Sequence, residues 1–106
     1  MSDMPLGFAN EVLAAIARVP QSGRFGTRKV FISSIWSVLV DAGRTALTLD
    51  GFKVQLLAAQ HAGQLSLARA DLIAAMPSAV VIASEIDRDG ATWHFAIDPQ
   101  ARDLWT

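Results

Sequence analysis

The residues whose types and spacing raise the question of catalysis or metal binding are few. They are His61 and His94, the serines Ser33, Ser34 and Ser37, and the aspartates Asp87 and Asp89. A structural or catalytic zinc site takes several His, Cys or carboxylate ligands, commonly paired at short spacing. The two histidines lie far apart, the chain has no cysteine, and no His-x-x-x-His pair occurs. A serine nucleophile needs a base within reach, often on a sharp strand-to-helix elbow. The three serines fall inside a helical pattern with no base beside them. Asp87 and Asp89 bracket a turn, where aspartate serves backbone geometry rather than proton transfer. The sequence therefore predicts a non-enzymatic protein with no cofactor, no metal and no small-molecule ligand.

Binding residues are a better prospect. Net charge is −1, which gives no general pull toward nucleic acid. The charge is unevenly placed, however. Between Arg18 and Lys53 stand six basic and two acidic residues, while from Val54 onward three basic residues face six acidic ones. Within the basic block, Arg24, Arg28 and Lys29 surround Gly23-Arg-Phe-Gly26. That loop lacks the four-residue glycine spacing and the Lys-Ser/Thr pair of a P-loop. Its Gly-x-x-Gly resembles the clamp of a KH domain, but the strand order does not fit one. Those three cations and Arg88 beside the Asp89-Gly90 turn are the best candidates for phosphate contact.

The elements that must position these residues follow from hydrophobic period and punctuation. A first helix is predicted from about Pro5 to Arg18, capped by Ser2 or Asp3, with Val12, Leu13, Ile16 and Val19 on one face and Pro20 ending it. After a loop to Gly26, Thr27 is placed to cap a second helix reaching Ala42, with Phe31, Ile32, Ile35, Val38 and Leu39 inward and Gly43 stopping it. Thr48 is the N-cap of a third helix, with Leu47 and Phe52 placed as a hydrophobic staple; Gly51 leaves the capping box incomplete. Gly63 closes that helix. Gln64 to Arg69 alternates as a short strand, and Asp71 to Met76 fits a brief helix before Pro77. The run Ser78 to Ala83 suits either a strand or a helical turn.

A hairpin follows. Asp89-Gly90 favours a two-residue turn, which pairs Arg88 with Ala91, Asp87 with Thr92, Ile86 with Trp93 and Glu85 with His94. Alternation then puts Ile86, Trp93, Phe95 and Ile97 inward, and Glu85, Asp87, Thr92 and His94 in water. Asp98 to Thr106 is a tail that folds back through Leu104 and Trp105. The sequence thus predicts one α+β domain over 1–106, with its core at about 5–98. It has three core helices, a short strand and a C-terminal antiparallel hairpin. Without a leader pattern or a long apolar stretch, it is expected in the cytoplasm, with no membrane partner.

This order resembles the winged helix-turn-helix superfamily, and Leu47 to Leu67 looks like a recognition helix running through a glycine into the first wing strand. About fifteen residues, Ala70 to Ser84, replace the usual short wing. By that resemblance the third helix enters a major groove and a wing touches the backbone or minor groove. The helix offers Lys53, Gln55, Gln60 and His61 for base or phosphate contact, and no arginine. The centre of its outer arc is instead small and apolar. Two functions are therefore expected. One is a nucleic-acid-binding module, a small transcriptional or plasmid- or phage-type regulator, using Arg24, Arg28, Lys29, Lys53, Gln55, Gln60, His61 and Arg88. The other is a protein-interaction or dimerisation module using Val54, Leu57, Ala58, Trp36 and Val40.

Overall fold

The computed structural model describes residues 6–26, 28–69, 78–88 and 91–100. The expectations for Ser2, Asp3, Pro5, Thr27, Asp71 to Met76, Asp89-Gly90, Leu104 and Trp105 lie outside the described residues.

Helix α1 spans Leu6–Arg18. Its buried residues Ala9, Val12 and Ile16, with Val19 just past its end, recur at helical spacing and face the main core. Pro20 ends it, and the Gln21–Gly23 turn brings the chain back toward the second helix. A methyl group on Gly23 would stand 2.5 Å from Val19 Cγ1 and 2.9 Å from Ser34 Cβ, so glycine is required for this approach. The next residues are not a loop and a helix start, as the sequence predicts. They form a tight hairpin of β1 (Arg24–Phe25) and β2 (Lys29–Phe31), and α2 begins only at Ile32 and runs to Asp41. Strands of two and three residues carry no readable period, and β2 is drawn into the sheet by distant pairing with the chain's end.

The start of α2 is capped from another part of the fold. Ser33 N–H donates to Ser84 Oγ at 3.1 Å, and the buried Ser84 hydroxyl donates to Ser33 Oγ at 3.0 Å. Ile32 N–H donates to the His94 carbonyl at 3.2 Å. Gly43, at φ 67°, stops α2 as predicted, with Arg44 N–H donating to the Leu39 carbonyl.

Helix α3 spans Leu49–His61 between the expected signals. Thr48 Oγ1 accepts from Gly51 N–H at 3.1 Å, and Gly63 takes φ 76° beyond the end. Strand β3 (Leu67–Ala68) follows, then α4 (Ser78–Ser84), which settles the ambiguous apolar run as a helix. Strands β4 (Ile86–Arg88) and β5 (Ala91–Trp93) form a hairpin with the predicted register. Strand β6 (Phe95–Ile97) is the last element among the described residues.

Strand β6 is central to an antiparallel sheet ordered β1-β2-β6-β3, while β4-β5 is a separate two-stranded sheet. The chain changes sheet at His94, and the expected alternation breaks there. Ala96 pairs with Val30 and Leu67, and all three face the main core of α1, α2 and α3. Phe95 pairs with Phe31 and Ala68 on the opposite face. There Phe31, Phe95 and Val81 of α4 make a second cluster with Phe25. The Phe31 and Phe95 rings are 4.8 Å apart. Helix α4 thus covers the second face of the sheet. Among the described residues, no helix is long and apolar enough to cross a membrane.

Candidate interaction surface

Helix α3 turns Phe52, Leu56 and Ala59 inward, and leaves Asp50, Val54, Ala58 and His61 exposed, as its sequence predicts. Leu57 is a correction. Expected at the edge of the outer arc, it is 6% exposed and belongs to the main core. The reason is the hairpin. Asp50, Lys53 and Val54 line one cleft with Glu85, Ile86 and Asp87, so β4 lies along the helix stripe that Leu57 continues. Ile86 and Leu57 share the same core cluster.

An apolar strip crosses from α2 to α3. Val40 is 41% exposed and stands one turn beyond Trp36. Trp36 packs its ring against the main core and donates its Nε1–H to the Leu47 carbonyl at 2.9 Å. Leu47 is 36% exposed, and its Cδ2 would stand 3.6 Å from a methyl built on Gly51. One turn further, Val54 is 53% exposed, followed by the exposed Ala58. Gln55 is half-buried beside them. The strip therefore joins Trp36, Val40, Val54 and Ala58 of the sequence-predicted set and adds Leu47, whose apparent role in the sequence was the staple.

The expected cations do not gather on this surface. Arg24 is almost wholly buried. Its guanidinium donates to the carbonyls of Ile16 and Val19 at the end of α1, and pairs with Asp98 at 2.9 Å. It is a structural tie and a poor phosphate contact. Its sequence neighbourhood gives no hint of this, because Asp98 lies 74 residues away. Arg28 has an exposed side chain, and its carbonyl accepts from Asp98 N–H at 2.8 Å. Lys29 sets its ammonium 5.8 Å from the Phe95 ring centre. Both stand on the β1-β2 hairpin at one edge of the sheet, whereas β3, the strand that leaves α3, forms the other edge. Gln60 Oε1 accepts from Leu67 N–H at 2.9 Å and so fastens α3 to β3. Lys53 lines one cleft together with three carboxylates, Asp50, Glu85 and Asp87. His61 is exposed at the end of α3. Arg88 is in β4, and its side chain lies outside the described residues.

His94 corrects a further expectation. It is 4% exposed rather than in water, because it sits where the hairpin joins the main sheet. Its backbone donates to the Ala68 carbonyl and accepts from Ile32. The expected neighbour is present, with Nε2 3.9 Å from Glu85 Oε1. Burial lowers the imidazole pKa below its ordinary value; Glu85 opposes that effect, and Arg69 and Lys53 reinforce it. Among the described residues, no group of three or more His, Asp or Glu is placed to hold a metal ion.

No family model matches the chain, and no curated protein or solved structure matches it.

Proposed function

We propose that this domain is a non-enzymatic, winged-helix-like docking module that binds a protein partner through the strip Trp36, Val40, Leu47, Val54 and Ala58. The order α1, β2, α2, α3, β3, β6, with β6 between β2 and β3, supports the winged-helix likeness. In place of a short wing, the chain carries α4 and the β4-β5 hairpin. One observation carries the choice of partner. The outward centre of α3 is Val54 and Ala58, and the lysine beside them lines a cleft together with three carboxylates. Phosphate recognition needs accessible positive charge, whereas small apolar surface next to an aromatic suits a protein. A cysteine-free chain fits the reducing cytoplasm, which belongs to the same proposal.

The second reading is a winged-helix nucleic-acid-binding regulator. The exposed Arg28 on the β1-β2 hairpin, within the basic stretch of the sequence, favours it. A salt titration against a mixed-sequence duplex separates the two. Docking to protein predicts no measurable affinity at low salt, and a nuclease-resistant complex or dimer that Val40→Asp and Ala58→Asp dissolve. Neither change should move stability by more than about 0.5 kcal/mol. Affinity for duplex that falls steeply with salt and is lost in Arg28→Ala would overturn the docking reading. A monodisperse monomer with no nuclease-resistant partner would do the same.

A further inference from the structure

The cleft between α3 and β4 is lined by Glu85 and by the first two residues of β4, Ile86 and Asp87. Successive side chains on a strand point to opposite faces. Ile86 and Asp87 can both border one space when that space runs along the strand's edge. Strand β4 pairs with β5 alone among the described residues. In an antiparallel pair, alternate residues turn their N–H and C=O groups away from the partner strand. Among the described residues the groove therefore has on one wall the edge of β4 that β5 leaves open, beyond Glu85, whose N–H donates to the Ile82 carbonyl, and on the other Asp50, Lys53 and Val54 of α3.

We propose that this groove takes an extended segment of a protein partner, added as a third strand beside β4, in which Lys or Arg alternates with apolar residues. The inference rests on the docking reading above and names the chemistry of its partner. Three carboxylates against one ammonium make the groove acidic, so a basic segment complements it. The exposed Val54 gives its apolar residues a surface. Main-chain bonds would supply affinity, and alternate side chains would supply selection. A second copy of this chain is the poorer occupant. Edge-to-edge pairing would bring Glu85 and Asp87 against the same carboxylates of the other copy, which repel.

The probe is a capped, fluorescently labelled peptide of alternating lysine and valine, titrated into the full chain. Saturable binding is expected, with slowed amide exchange within β4. Asp87→Lys, and independently Asp50→Lys on the helix wall, should weaken it about tenfold or more. A peptide with glutamate for lysine, and one N-methylated along its backbone, should fail to bind. The groove assignment is overturned by absence of saturable binding, by equal binding of either control peptide, or by insensitivity to both substitutions. The Val40→Asp variant keeps the two readings apart, because Val40 is outside the groove. It should retain peptide binding while losing the nuclease-resistant complex. If the natural complex survives Val40→Asp and Ala58→Asp while the peptide still binds, the strip reading fails and the groove stands. If the peptide fails and those variants still dissolve the complex, the reverse holds.

Discussion

Arg24 and Asp98 are 74 residues apart in sequence and 2.9 Å apart in the fold, where they join the end of α1 to the end of β6. The guanidinium also donates to two carbonyls at the helix end, so one side chain satisfies three acceptors. Breaking a buried pair leaves a charge without compensation, at a cost of about 3 kcal/mol. Arg24→Ala should lower the urea midpoint accordingly. Arg24→Lys should recover part of the loss, because an ammonium cannot reproduce the planar fork. If Arg24→Ala unfolds at the wild-type midpoint, the tie has no energetic weight.

Trp36→Phe is expected to keep the ring's packing and to release the bond to Leu47. Loss of about 1 kcal/mol follows, read by chemical denaturation. The strip should also loosen at Leu47, which amide exchange in the loop before α3 would report.

The cap at Thr48 makes a similar but separate prediction. Thr48→Ala removes the acceptor for Gly51 N–H and should lower stability by about 1 kcal/mol. Thr48→Asp should restore it, since a carboxylate caps the same donor and favours the positive helix end.

His94 links stability to pH. In the folded chain its pKa lies below the ordinary value, so the unfolded chain binds the proton first. The buried neutral ring's contribution is complete above the unfolded value of about 6.5. It is lost as pH falls from there through the folded pKa. Urea midpoints should therefore drop on mild acidification, before most carboxylates titrate. His94→Gln should flatten that part of the curve. A midpoint that is level through this range in the unsubstituted chain would contradict the assignment.

Much of the architecture was legible in the residues. Thr48 and Gly63 bracket α3, and Ile86 pairs with Trp93 in the predicted register. What escaped was set by distance. The β1-β2 hairpin is too short for a period, and it forms an extended sheet only because β6 pairs with it. The burial of His94 follows from a change of sheet, which reverses the expected parity. The site was legible by half. Val54 and Ala58 face outward as their helical positions require. That Leu57 is covered, and that Asp50 and Asp87 share a groove, depends on where the hairpin folds back.

The placement of β6 at the middle of the sheet also bears on how the domain is made. A ribosome delivers β2 and β3 long before it delivers Phe95 to Ile97, and neither of those strands pairs with the other. Until β6 emerges, the nascent polypeptide holds separated halves of a sheet and two half-built apolar layers. Tertiary structure is then expected to appear late and together, in one step gated by a stretch of three residues.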